Sequence, residues 1–107
     1  MEQNQDKIVW WLLSKNPNAI HLLEKNPDEI DWYWLSENPN AIHLLEQNQD
    51  NIDWVKLSLN PNAIHLLEKN PDKIDWNSLS NNPCIFYNNT SKYKMLKNKF
   101  TEFVYNL

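Results

Sequence analysis

Glycine and arginine are both missing from this chain of 107 residues, and cysteine occurs once, at Cys84. Without glycine, no Gly-rich loop can cradle a phosphate. Any residue holding the left-handed backbone that ends many helices must then be asparagine. A single cysteine forms no internal disulfide, a usage that fits a reducing compartment. Alanine is confined to Ala19, Ala41 and Ala63. Gly, Arg and Ala mostly need GC-rich codons, so the bias points to an AT-rich genome and carries no function. No apolar run approaches the ~18 residues of a membrane span. The start, Met1-Glu2-Gln3-Asn4-Gln5-Asp6, is polar and acidic, unlike the basic start of a signal peptide. These features predict a soluble, intracellular protein with no membrane association.

The net charge is −4 and unevenly spread. Residues 1–87 carry six lysines against thirteen carboxylates, and residues 88–107 carry four lysines against Glu102. An acidic body argues against duplex nucleic acid as a partner, since that needs cations along one face.

What the chain has in abundance is asparagine followed by proline. All six prolines sit after an Asn. Asn16-Pro17, Asn38-Pro39, Asn60-Pro61 and Asn82-Pro83 form one series; Asn26-Pro27 and Asn70-Pro71 form a second, with Asn48-Gln49 in register between them; the period is 22 residues. A fixed period of this size predicts stacked repeats, and hence a surface for binding rather than a centre for chemistry. The expected fold is all-α: a short α-solenoid of about four 22-residue, two-helix repeats with a C-terminal capping helix. The whole forms one repeat domain over residues 1–107, with units 4–25, 26–47, 48–69 and a degenerate 70–87, where Cys84-Ile85-Phe86-Tyr87 replaces Asn-Ala-Ile-His.

Asn is a favoured N-cap, and Pro suits the first helical position because it has no N–H to leave unpaired. Pro17, Pro39 and Pro61 are therefore expected to open short helices ending near Lys25, Gln47 and Lys69. At ~100° per residue, Ala41, Ile42, Leu44 and Leu45 share one arc and His43 lies opposite. Ile30 and Trp32 are ~200° apart on a helix and cannot share a face. Asp31, Asp53 and Asp75 are accordingly read as N-caps of a second helix that begins at Trp32, Trp54 and Trp76; a single irregular helix over residues 27–36 is the alternative. The first unit has Val9 at this position, a weaker start. Asn26, Asn48 and Asn70 are the expected left-handed helix ends. Residues 90–107 form a longer amphipathic helix, capped by Thr90 or Ser91, with Tyr93, Leu96, Phe100, Phe103, Val104 and Leu107 on its apolar face and Lys92, Lys97, Lys99 and Glu102 on the other.

The string Leu-Ser-Glu-Asn-Pro-Asn-Ala-Ile-His-Leu-Leu-Glu-Gln-Asn at 35–48 resembles a tandem 22-residue repeat abundant in large DNA viruses of protists. The likeness spans roughly residues 4–83 and leaves 88–107 uncovered. It implies a viral protein acting in the cytoplasm of an infected cell, or associated with the virion, and brings no catalytic residues and no partner.

Chemistry finds little footing. His21, His43 and His65 share one repeat position, but a common ion needs nitrogens ~2 Å away, and packed helices stand ~8–10 Å apart. No metal site is expected there. The histidines are read as a polar ladder, each imidazole bonding a carbonyl or carboxylate in the next unit, with pH sensitivity as a further reading. Asp31, Asp53 and Asp75 lie a unit apart, too far for joint acid–base work on one bond. Trp10, Trp32, Trp54 and Trp76 are read as core. Ser14, Ser36, Ser58 and Ser80 are repeat positions near helix ends, not nucleophiles. No enzyme activity, cofactor or small-molecule substrate is expected.

The variable positions say more. Between each repeat Trp and Leu lie two free residues: Trp11-Leu12, Tyr33-Trp34, Val55-Lys56 and Asn77-Ser78. A constant frame with changing residues at fixed points is how repeat binders set specificity. Trp11, Leu12, Tyr33, Trp34 and Val55 are the candidate protein contacts; Trp11 and Leu12 alternatively cover the open N-terminal end. The function expected is a non-enzymatic protein-interaction module. Self-assembly, or an acidic decoy for a basic or nucleic-acid-binding host factor, are the alternatives.

Overall fold

The computed structural model describes residues 9–82 and 94–106. Every regular element among the described residues is a helix, with no strand among them. In chain order they form α1 (Trp10–Lys15), α2 (Ile20–Lys25), α3 (Trp32–Leu35), α4 (Ile42–Gln47), α5 (Trp54–Ser58), α6 (Ile64–Glu68), α7 (Trp76–Leu79) and α8 (Lys94–Tyr105). Three-residue 3₁₀ turns at Pro27–Glu29, Gln49–Asn51 and Pro71–Lys73 precede α3, α5 and α7. Helices of four to six residues have no stability of their own in water, so contacts between repeats must hold them.

The Asp caps form as expected. The Oδ1 atoms of Asp31, Asp53 and Asp75 accept the N–H groups of Trp34, Lys56 and Ser78 at 3.3, 3.0 and 3.0 Å. Val9 offers α1 no such bond. The break between the 3₁₀ turn and α3 falls at Ile30-Asp31, and Ile30 is buried from the preceding turn. The two-segment reading of this half-repeat is therefore the one found.

Two expectations about asparagine are corrected. The helices expected to open at Pro17, Pro39 and Pro61 begin three residues later, at Ile20, Ile42 and Ile64. The Asn side chain instead closes a tight turn over the proline. Asn16 Oδ1 accepts the Asn18 N–H at 2.8 Å, and the Asn16 carbonyl accepts the Ala19 N–H at 3.1 Å. The same pair of bonds recurs at Asn38 and Asn60. Nor do Asn26, Asn48 and Asn70 turn left-handed. No described residue has positive φ, and Asn26 sits at φ −133°, ψ 58°. Their side-chain Nδ2 atoms donate to the carbonyls of Leu22, Leu44 and Leu66, four residues back, at 3.0, 2.8 and 3.0 Å. The amide group thus supplies the donor that a left-handed turn would otherwise bring round.

The first asparagine series also ties each repeat to the one before. The Ser36 carbonyl lies just past the end of α3. Three residues on is Pro39, which has no N–H, and four on is Asn40, whose N–H is taken by Asn38 Oδ1. Its donor comes from the next repeat: Asn60 Nδ2 reaches the Ser36 carbonyl at 3.1 Å and the Asn38 carbonyl at 2.8 Å. Asn38 does the same to Ser14 and Asn16, and Asn82 to Ser58 and Asn60. A second tie comes from the serines. The Ser14, Ser36 and Ser58 hydroxyls accept the N–H groups of Asp31, Asp53 and Asp75 at 2.9, 2.9 and 3.0 Å. Ser36 and Ser58 donate in turn to the Trp32 and Trp54 carbonyls. Ser14, Ser36 and Ser58, with Asn38, Asn60 and Asn82, form a buried polar spine in which every described side-chain polar atom is paired.

Beside this spine runs the apolar core. Leu23, Leu35, Leu45, Leu57, Leu67 and Leu79 are fully buried, with the alanines packed among them. Burial of the Ala-Ile-x-Leu-Leu stripe deepens along the chain: Leu22 is exposed, Leu44 half-buried and Leu66 buried. The repeat tryptophans, read from the sequence as core, sit at its edge instead. Trp10, Trp32, Trp54 and Trp76 are half-buried and lie against the leucine core from its edge, because an indole is too large for the gap between helices that short leucines already fill.

Helix α8 meets the last repeat through Phe103, which stacks on Trp76 with ring centroids 6.3 Å apart and planes 24° apart. Val104, counted on its apolar face, is exposed instead. The degenerate stretch after Pro83, the Thr90 or Ser91 cap, Tyr93, Leu107 and the side chains of Leu96, Lys97 and Phe100 lie outside the described residues.

Candidate protein-binding face

Helices α1, α3, α5 and α7 each turn their first and fourth residues inward; Trp32 and Leu35 are the pattern in α3. Residues three apart share a helix face, so the two between them are turned away. Trp11, Leu12, Tyr33 and Val55 are accordingly 43%, 48%, 47% and 48% exposed, far more than large apolar groups usually are. Trp34 is half-buried, held among its neighbours.

The side chains from successive repeats meet. The Trp11 and Trp34 rings lie 5.8 Å apart at 41°, and Tyr33 stands edge-on to Trp34 at 5.0 Å and 84°. Both are favoured aromatic separations. Two lysines close on the same indole. Lys15, in the last turn of α1, places Nζ 4.7 Å from the Trp34 centroid, and Lys56 of α5 places its own 4.6 Å away. Lys15 also lies 5.8 Å from Trp11, and Lys56 5.0 Å from Tyr33. Glu37 meets Lys56 at 3.4 Å. Lys15, Trp34, Glu37 and Lys56 line a shallow depression of about 330 Å³. The face thus runs from Trp11 and Leu12 through the Tyr33–Trp34 pair to Val55, and ends at Asn77 and Ser78, which are polar.

Lys15, Glu37 and Lys56 were not among the residues expected to make contacts. Lys56 fills one of the two variable positions already noted, and the signal for Lys15 and Glu37 is also present in the repeat. The residue after each frame serine varies as Lys15, Glu37, Leu59 and Asn81, a third variable position beside the two already noted. Their convergence on one ring depends on three different repeats and is not visible in any one of them.

The histidines lie elsewhere, on α2, α4 and α6, and all three are exposed. One rung of the expected ladder is present. His43 Nε2 meets Glu24 Oε2 at 2.7 Å, reaching back to the preceding repeat rather than on to the next. His21 and His65 have no such bond among the described residues. No group of three or more His, Cys, Asp or Glu side chains there could hold a metal ion. Two wider hollows lie beside the stacked Trp76 and Phe103 and around Gln49, away from the face from Trp11 to Val55. No described helix is long and apolar enough to cross a membrane. No family model, curated protein or solved structure matches the chain.

Proposed function

We propose that the chain is a short α-solenoid, closed by α8 as a terminal cap, that works as a non-enzymatic module for docking another protein. The observation that carries this reading is the division of labour within each repeat. Frame residues (Asn, Ser, Leu, Asp) are spent on internal ties, while the variable residues Trp11, Leu12, Tyr33 and Val55 are exposed, and the half-buried Trp34 joins the rings of Trp11 and Tyr33. Exposed contiguous apolar surface of this kind is costly to leave uncovered and marks contact sites. Tyr and Trp are the side chains that most often anchor an interface. The resemblance of the repeat to those of large DNA viruses makes the partner a host or viral protein met inside the infected cell.

The test is the double replacement of Tyr33 and Trp34 by Ser. Helicity by circular dichroism stays at the native level, and retention of partner proteins from host extract falls at least tenfold. Unfolding of the variant would instead mark these rings as structural. Self-association is a second reading, favoured by Val9, Trp11 and Leu12, all exposed on the first repeat. It predicts a mass that rises with concentration in sedimentation, and a constant monomer mass rules it out.

A further inference from the structure

Resting on the docking reading above, we infer that the segment seated on this face is an acidic peptide: an extended stretch of about six residues pairing an apolar or aromatic side chain with a neighbouring Asp or Glu. The length follows from the spacing. Neighbouring packed helices stand ~8–10 Å apart, so three repeats span ~20 Å, the reach of about six extended residues at ~3.3 Å each.

The charge follows from the rings. Residues 1–87 are strongly acidic, yet two of their six lysines converge on one indole, Trp34. An aromatic face attracts cations through its quadrupole, and here that attraction is met from within the chain. A Lys or Arg from a partner would find the face occupied and two ammonium groups opposing it. A carboxylate finds the reverse. Lys56 is already met by Glu37 and its side chain is only 17% exposed, so it is fixed in place. Lys15 is exposed and has no carboxylate partner among the described residues. A carboxylate entering the depression beside Trp34 pairs with Lys15, the one of the two lysines that no carboxylate among the described residues already meets. The adjoining apolar side chain of the peptide then falls on the exposed run formed by Trp11, Leu12 and Tyr33. This excludes, at this face, a partner recognised through its basic residues.

The test selects binders from a phage-displayed library of random six-residue peptides against the full chain. The strongest is synthesised with a fluorescein label and titrated by fluorescence polarisation. Selected sequences are expected to carry Asp or Glu within two residues of Trp, Phe, Tyr or Leu. Lys15→Gln should weaken binding about three- to fivefold, the scale of one exposed ion pair, and Tyr33→Ser at least tenfold. Replacing the peptide's carboxylate by its amide should weaken binding to the native chain and leave binding to Lys15→Gln unchanged. Neutral or basic peptides that lose affinity with Tyr33→Ser but not with Lys15→Gln would overturn the acidic assignment and leave the docking face standing. Peptides indifferent to Tyr33→Ser, or a library that yields no binder, would overturn both.

Discussion

Replacing Asn60 by alanine tests the account of how the repeats hold together. The wild-type side chain is fully buried and makes three bonds: Nδ2 to the carbonyls of Ser36 and Asn38 in the preceding repeat, and Oδ1 from the Asn62 N–H in its own turn. These losses are not equivalent. The Asn62 N–H belongs to an exposed residue and water can take it over. The Asn38 carbonyl keeps the Ala41 N–H at 3.1 Å. The Ser36 carbonyl is left with nothing, because Pro39 has no donor and the Asn40 N–H is committed. An orphaned buried carbonyl costs about 1–3 kcal/mol, and each other lost bond about 1 kcal/mol. With the small void added, Asn60→Ala should cost about 3–4 kcal/mol, a large share of the ~5–15 kcal/mol that holds a chain of this size. Asn60→Asp keeps the shape, removes both donors and sets a carboxylate against two carbonyls, so it should cost at least as much. The control is Asn62→Ala, which removes one exposed bond to the Pro39 carbonyl and should cost under about 1 kcal/mol. Urea denaturation followed by circular dichroism gives all three values. If Asn60→Ala falls within about 1 kcal/mol of wild type, or no lower than Asn62→Ala, the cross-repeat amide is not what secures the stack.

Two further outcomes follow from the same geometry. Asp53→Ala removes the cap on α5 and should cost about 1 kcal/mol in urea denaturation, while Asp53→Asn, which can still cap, should recover most of it; equal losses would show that the charge and not the cap matters. His43→Ala removes a contact with Glu24 whose side chains are 54% and 41% exposed, so the urea midpoint should barely move, by well under the equivalent of 1 kcal/mol; a larger loss would assign the histidines a structural role that their exposure does not suggest.

The helical class and the start of every second segment were legible from local chemistry. The Asp before Trp32, Trp54 and Trp76 is placed to cap the helix that follows, and it does. That Trp11, Leu12, Tyr33 and Val55 are exposed is settled by the structure, where an inward Trp and Leu three residues apart leave these residues outside; the sequence marked the positions as variable without fixing where they point. What the sequence hid is what one side chain does at two distances. Asn38 closes its own turn with Oδ1, a local bond that in the sequence looks the same as a helix cap, while its Nδ2 serves residues 22 and 24 positions back. Only the first leaves a trace in neighbouring residues. Ser36 was set aside as a residue near a helix end for the same reason: its acceptor role toward Asp53 spans 17 positions. The meeting of Lys15 and Lys56 at Trp34 is not legible in the sequence because it belongs to three repeats at once.

The bonds of the buried spine that tie one repeat to the next draw on main-chain groups and on the Ser and Asn that each copy carries. A duplicated copy spliced between two others would meet matching acceptors on one side and offer matching donors on the other. The reach of the molecule is therefore heritable in whole increments: a gene of this design can grow or shrink by unequal crossing-over without any seam to repair, and the residues on its outer run are left to diversify afterwards.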